Sequence, residues 1–386
     1  MKKIFQLGTV LTISVGHMFH DIYTAILAPM LPLLIEKLGI SLSLAALMDI
    51  VLRVPSLLNP FIGLMADKIC LRYFIILSPA ISAISMSLLG VANKYWIILL
   101  LLFVTGISSD LFHVPSPVMI KHTSGNRTGL GMSFFMLGGE IARTLGPLII
   151  TAAISWWGLK GSYRIMPLGI IASIILYSKL RDININKEFR DKKKDIGAKD
   201  TLIRLIPFFI LISGICFFRA IMKSALSLYL PIYLTNHGYS LWTSGISLSI
   251  LQFSGAIGTI LAGHISDKIG RKSMLLIAAI ANPIMLWLFV NFYSVLMTPL
   301  LLVMGFFLFS SGPVLLALVQ DTDSEHPSFI NGIYMTINFG IGSLVVLMVG
   351  LTGDKFGLDL TYRICSFLTA GTIPFILFLP KKSDRA

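Results

Sequence analysis

Charge is what this chain has least of. Only 13% of its 386 residues are Asp, Glu, Lys or Arg, against about 25% in a soluble globular protein. Acids are scarcer still, with 18 Asp and Glu against 31 Lys and Arg and a formal net charge of +13. Hydrophobic residues make up 55% and mean hydropathy is +0.85. This balance excludes a soluble protein and indicates a polytopic membrane protein. Cysteine is also scarce: Cys70, Cys216 and Cys365 are scattered, odd in number and without metal or redox spacing, so packing between helices is their expected role. Nothing resembles a cleaved leader. Met1-Lys2-Lys3 is a short basic start, but the apolar run after it is too long for a signal core and has no clear small-residue cleavage site. Nucleophile–base pairs and metal-ligand clusters are lacking too, and Asp110-x-x-His113 alone is a weak pattern. An enzyme is therefore not expected, and neither cofactor nor metal is.

Long apolar runs are what the chain has. They predict helices at roughly 5–35, 42–66, 73–92, 95–120, 129–156, 163–180, 204–235, 241–266, 272–291, 294–319, 328–353 and 361–380. Each is long enough, or nearly so, for the roughly 20 residues a bilayer crossing needs. The expected fold is all-α, with twelve transmembrane helices in two six-helix bundles, 1–180 and 204–386. The basic stretch 181–203, with Lys192, Lys193 and Lys194, links them in the cytoplasm.

The basic residues sort by side. Lys2, Lys3, Lys68, Arg72, Lys121, Arg127, the linker, Lys268, Arg271, Lys272, Lys381, Lys382 and Arg385 share one face if the helices alternate, and Lys37, Lys94, Lys160 and Lys355 occupy the other. The positive-inside rule then puts both termini in the cytoplasm of a bacterial inner membrane. It also accounts for the basic excess without a nucleic-acid partner.

The two halves repeat. Gly63-x-x-x-Asp67-Lys68 recurs as Gly263-x-x-x-Asp267-Lys268. Pro32, Gly39 and Ser41 recur as Pro231, Gly238 and Ser240, and Gly131 and Gly139 as Gly332 and Gly340. Gly158-Leu-x-x-x-Tyr163-Arg164-Ile165 recurs as Gly357-Leu-x-x-x-Tyr362-Arg363-Ile364. All pairs are offset by 199 to 201 positions. A parallel repeat of six helices is the pattern of two bundles that rock about a site.

Chemistry concentrates in a few places. On the first helix His17, His20, Asp21 and Thr24 fall at i, i+3, i+4 and i+7, one polar stripe, with Tyr23 beside it. A charge at mid-membrane costs roughly 2.5–3.5 kcal/mol on insertion scales, so such a stripe must face protein or a wet cavity. Further internal charges are Asp49 and Arg53 in the second segment, Asp110 in the fourth, Glu140 and Arg143 in the fifth, and Arg219 and Lys223 in the seventh. The third, sixth, ninth and twelfth have none in their middles and should face lipid. Asp49 with Arg53, Glu140 with Arg143 and Asp110 with His113 have helical pair spacing. Asp21 has only His17 and His20 as basic neighbours on its helix. It is the first choice as proton carrier, with Asp49, Asp110 and Glu140 as alternatives; permanent pairing with Arg53 or Arg219 is the bland reading. The buried acids all lie in the N-terminal half. Arg219 and Lys223 therefore either pair with them or attract an anion, as Arg does by bidentate hydrogen bonds. His17, His20, Tyr23, Arg53, His113, Arg143, Phe217, Phe218, Tyr229, Gln252 and Asn338 complete the candidate substrate-binding set.

The motif Gly263-x-x-x-Asp267-Lys268-x-Gly270-Arg271-Lys272 resembles the cytoplasmic loop signature of the major facilitator superfamily. The first copy keeps Gly63, Asp67, Lys68 and Arg72 but has Cys70 and Leu71 where Gly and Arg are usual. The resemblance implies that Gly63, Asp67, Arg72, Gly263, Asp267 and Arg271 serve as gating loops, with a weaker N-terminal latch. His17 to Ala25, Pro29-Met-Leu-Pro32, Gly131-Met-Ser-Phe and Gly138-Gly139 with Gly146-Pro147 resemble the fosmidomycin-resistance branch. Gly138, Ala142 and Gly146-Pro147 also look like the drug-antiporter motif, although Ile149 and Ile150 stand where glycines are usual. The resemblance implies a monomeric carrier in the bilayer. It would export a small amphipathic or anionic drug, fosmidomycin-like, in exchange for protons. Carriage of a metabolite or siderophore-like organic acid is the alternative, and a non-transporting receptor or scaffold is disfavoured.

Overall fold

The protein is described from a computed structural model that covers residues 5–59, 62, 72–125, 128–181, 198–322 and 327–379. Among these residues every regular element is helical. They are α1 (Leu7–Thr24), α2 (Leu27–Leu38), α3 (Leu42–Arg53), α4 (Arg72–Ser87), α5 (Tyr95–His113), α6 (Pro115–Thr123), α7 (Thr128–Trp157), α8 (Met166–Leu180), α9 (Ala198–Leu228), α10 (Leu230–Asn236), α11 (Leu241–Ile269), α12 (Arg271–Gln320), α13 (Pro327–Thr369) and α14 (Thr372–Leu377). Short 3-10 turns follow α3 at Val54–Leu58 and α4 at Leu88–Gly90, and one precedes α8 at Leu159–Ile165.

Nine stretches of the described chain are long and apolar enough to cross a bilayer. Two of them, Arg271–Val319 with 49 residues and Ile333–Leu377 with 45, are about twice the length one crossing needs. Each is broken near its middle. In α12 Leu296 leaves helical geometry (φ −114°, ψ 20°), three residues before Pro299, whose ring cannot donate to the preceding turn. In α13 the break is Gly357 (φ 76°, ψ 161°). Each stretch therefore divides into two helices at the break. The span expected over 42–66 begins as α3 and a 3-10 turn, and most of its remainder lies outside the described residues.

The internal repeat reappears in the backbone. Gly39 and Gly238 have φ of +63° and +82°, and their counterparts at the next repeated site, Gly158 and Gly357, have +70° and +76°. These are left-handed conformations that cost a residue with a Cβ roughly 1–2 kcal/mol. Two turns are thus built alike in both halves.

The chain divides into two compact units. The first is Met1–Ile40, Leu47–Lys193 and Ser240–Ser249; the second is Ser41–Ala46, Lys194–Tyr239 and Ile250–Ala386. The core of the first gathers Val10 and Ile13 of α1, Ile75 and Ile76 of α4, Phe112 of α5, Phe135 of α7 and Leu176 of α8. That of the second gathers Ile212 and Ile215 of α9, Leu275 of α12, Leu315 and Val319 further along α12, and Tyr334 of α13. Small residues let α7 lie against α1: a Cβ on Gly146 would stand 2.7 Å from that of Ala25, and one on Gly138 would collide with the carbonyl of Ser14. On the outside of α8 Ile171, Ile174 and Ile175 are exposed, and on α12 Ile277, Ile280, Ile284 and Trp287 are. These are sides of the sixth and ninth expected spans, which lack internal charge.

Candidate functional site

Unit 1 carries a polar cluster in apolar surroundings. It is built on α1, where one turn separates His17 from Asp21. Both are buried, as is His20. The Oδ2 of Asp21 lies 3.1 Å from Nε2 of His17, and its Oδ1 lies 2.9 Å from Nδ1 of His20. A third imidazole comes from another helix. His113, at the end of α5, places Nε2 3.2 Å from Oδ1 of Asp21 and 3.1 Å from Nε2 of His17. One carboxylate thus meets three imidazoles, two from its own stripe and one 92 residues away in sequence.

The rings are held in place. His17 donates from Nδ1 to the carbonyl of Phe135 at 2.7 Å, and its ring stacks on that of Phe135 with centroids 4.0 Å apart. His113 donates from Nδ1 to the carbonyl of Ser109 at 2.8 Å. His20 stacks on Phe112 at 4.7 Å, and its Nε2 lies 3.1 Å from Oγ of Ser82. Gly139 of α7 leaves the space that His17 and Asp21 fill: a Cβ there would stand 2.8 Å from Cε1 of His17 and 3.4 Å from Oδ2 of Asp21.

The other acids of unit 1 are bonded differently. Asp49 and Arg53 form the expected pair along α3, at 2.9 Å (Nε to Oδ2) and 3.1 Å (Nη2 to Oδ1). Glu140 accepts from Arg143 on α7. The third pair at helical spacing does not form as spaced: His113 turns to Asp21, while Asp110 accepts from Ser56 at 3.1 Å. The second oxygen of Asp110 is buried without a hydrogen-bond partner. No salt bridge ties Asp110 to a cation among the described residues.

In unit 2 the seventh-segment cation, Arg219 on α9, is only 8% exposed. It donates from Nη1 to Ser311 at 3.0 Å and from Nη2 to Asn338 at 3.2 Å, and its Nε is buried without a partner. Its hydrogen-bond partners are neutral, and among the described residues no carboxylate pairs with it. Lys223 lies one turn further along α9, and Gln252 sits half-buried on α11. Phe217 and Phe218 directly precede Arg219, their rings 5.2 Å apart edge to face.

Two candidates spend their hydroxyls on backbone. The hydroxyl of Tyr23 donates to the carbonyl of Ile165 at 2.6 Å and accepts from the N–H of Gly169 at 3.0 Å, with 1% of the residue exposed. Tyr229 is fully buried and donates to the carbonyl of Val346 at 3.0 Å. Both hydroxyls are consumed by backbone. Ser311 and the carbonyls of Ser109 and Phe135 were not legible as parts of a site, since a single serine or backbone group in an apolar run carries no sequence signal; Gly139 stood out in the repeat, but not as a neighbour of His17.

Of the gating-loop residues, Gly63 and Asp67 lie outside the described residues. Arg72 is at the start of α4, its guanidinium 5.0 Å from the ring centre of Tyr73. In the second copy Arg271 links Asp267 at 2.5 Å and Asp321 at 3.3 Å, and donates to Ser266 at 2.5 Å. The loop is tied to the far end of α12.

Residues 13–347 match the family model of the Major Facilitator Superfamily. The chain is 26% identical over 379 residues to the fosmidomycin resistance protein of Escherichia coli, covering 95% of this chain and 91% of that one. It is 23% identical to the sialic acid transporter NanX of Escherichia coli, over 82% of this chain and 76% of that one. In fold it is similar to a bacterial homologue of the human lysosomal transporter Spinster, with a TM-score of 0.78 at 16% identity over 98% of this chain and 96% of that one. All-helical, multi-pass and matched along most of its length, the chain belongs to the Major Facilitator Superfamily of membrane transporters.

Proposed function

We propose that the chain exports a small anionic or amphipathic drug, fosmidomycin-like, from bacteria in exchange for protons, by alternating access across the inner membrane. The observation that carries this reading is Arg219. A buried guanidinium whose hydrogen-bond partners are all neutral is costly unless an anion joins it. Phosphonate or carboxylate oxygens suit its planar fork. Lys223, Asn338 and Gln252 complete the substrate contacts. The likeness to the fosmidomycin resistance protein supports the drug class.

The proton needs a carboxylate that can close an open bond by taking it. Asp49 and Glu140 have arginine partners, and Asp21 is engaged by three imidazoles. Asp110, with one buried oxygen unpartnered, fits best. Purified protein in liposomes loaded with a pH-sensitive dye tests both parts. Fosmidomycin should drive proton movement, Arg219→Ala should abolish it, and Asp110→Asn should leave substrate counterflow without proton movement. Silence of the wild-type protein with fosmidomycin would overturn the drug-exchange reading.

A second reading keeps Arg219 and changes the cargo to a metabolic organic acid, which the likeness to a sialic acid transporter favours. Counterflow of labelled acids without a response to fosmidomycin would select it.

A further inference from the structure

We propose that His17, Asp21 and His113 form a binding site for one divalent transition-metal ion of the zinc class, within unit 1. It is separate from the drug and proton reading and does not depend on it.

Protons alone meet the contacts within this cluster only at the cost of its ion pairing. Both imidazoles spend their Nδ1–H on backbone carbonyls, of Phe135 and Ser109. Each neutral ring therefore turns a lone pair inward from Nε2. Those two nitrogens are 3.1 Å apart, and the Asp21 oxygens are 3.1 and 3.2 Å from them. One added proton on either Nε2 serves the edge between the rings and its own edge to Asp21, but leaves the other nitrogen facing carboxylate oxygen lone pair to lone pair. Two added protons on the rings serve both carboxylate edges and set two cationic donors against each other; moving one of them to Asp21 serves the edges but sets an imidazolium beside a neutral acid in place of an ion pair. A divalent cation on the open side of the three groups satisfies all three edges at once.

Donors about 2.0–2.1 Å from a tetrahedral zinc ion stand about 3.3 Å from one another. The two nitrogens here are 3.1 Å apart, and each faces its own Asp21 oxygen, Oδ2 at 3.1 Å for His17 and Oδ1 at 3.2 Å for His113. One ligand atom from each of the three residues lies within 4.8 Å of the others. Nitrogen from two imidazoles and oxygen from one carboxylate is a zinc-class set, too nitrogen-rich for calcium or magnesium. The outer contacts are those of a metal site as well. Each ligating ring donates its other N–H to a carbonyl, which fixes the tautomer, and His20 and Ser82 steady the carboxylate. Gly139 lets α7 come close enough to hold His17 and Asp21 in place, since a Cβ there would stand 2.8 Å from Cε1 of His17. Three protein ligands leave the fourth position open. The His113 side chain is 36% exposed, so the ion has a way in.

The test uses full-length protein in detergent, freed of any histidine tag and of metal. Cobalt is titrated in and followed by its visible absorption, and zinc by calorimetry. We expect one ion per chain, with the intense absorption of tetrahedral cobalt. Affinity should fall roughly tenfold or more in His113→Gln and in His17→Ala. His237→Ala, in unit 2, should bind as the wild type does. X-ray absorption of the zinc-loaded wild type should show two imidazole ligands, a readout that no variant needs to fold for. Failure to saturate, or equal affinity in both cluster variants, would overturn the site, as would a zinc spectrum with no imidazole.

Discussion

Gly139 and His17 touch across the packing of α7 on α1 so closely that a methyl group on the glycine would stand 2.8 Å from Cε1 and 3.1 Å from Nε2 of the imidazole. The ring cannot simply swing away, because it stacks on Phe135 and donates to the carbonyl of that residue. Gly139→Ala should therefore displace His17 from Asp21 and His113 while leaving the helices in place. The expected outcome is full-length, monodisperse protein whose cobalt affinity falls at least as far as that of His17→Ala. Unchanged affinity would mean that α7 yields and that the cluster is softer than its contacts imply.

Tyr23→Phe removes one hydroxyl that both donates to the carbonyl of Ile165 and accepts from the N–H of Gly169. Two buried backbone groups lose their partner, at about 1–3 kcal/mol for each group left unsatisfied. Thermal unfolding in detergent should shift down clearly, with transport per folded molecule preserved. A drop in transport without a stability change would return Tyr23 to the substrate-binding set.

The four repeated glycines separate backbone strain from crowding. A Cβ on Gly39, Gly158, Gly238 or Gly357 would meet nothing within 4 Å, so the only cost of alanine there is its positive φ. Each single Gly→Ala variant should lose roughly 1–2 kcal/mol, similarly in both halves. Thermal melts of the four variants measure this. Markedly unequal losses between the paired positions would show that the two turns carry different loads.

Arg271→Lys should weaken the second gating loop modestly. The arginine reaches Asp267, Asp321 and Ser266 at once, which a single ammonium cannot do from one position. Both carboxylates are well exposed, so the stability loss should stay under about 1 kcal/mol. The larger effect is expected in transport rate, measured by counterflow, because the loop is where the family resemblance places gating. A variant as fast as wild type would leave Arg271 with a topological role only.

The class of this protein is legible in its amino-acid sequence. Long apolar runs, one-sided basic residues and a repeat at a fixed offset need no coordinates, because hydrophobic length and charge placement act locally and add along the chain. The same locality made the Asp49–Arg53 and Glu140–Arg143 pairs legible, since four or three residues on a helix are neighbours in any fold. The polar stripe of α1 was visible for the same reason. What tertiary structure alone decided is which stripe meets which. His113 has an acid three residues before it in sequence and turns instead to Asp21 on another helix. Asp110 is thereby left with neutral partners, Ser56 and Asn59. Tyr23 belongs to the stripe by spacing, yet the packing of α8 takes its hydroxyl for backbone. Arg219 is an ordinary internal cation in sequence, and only the arrival of Ser311 and Asn338 shows that its hydrogen-bond partners are neutral. Helical periodicity fixes which residues share a face; the crossing of two helices fixes what each face touches, and that depends on small residues such as Gly138 and Gly139 that carry no chemistry of their own.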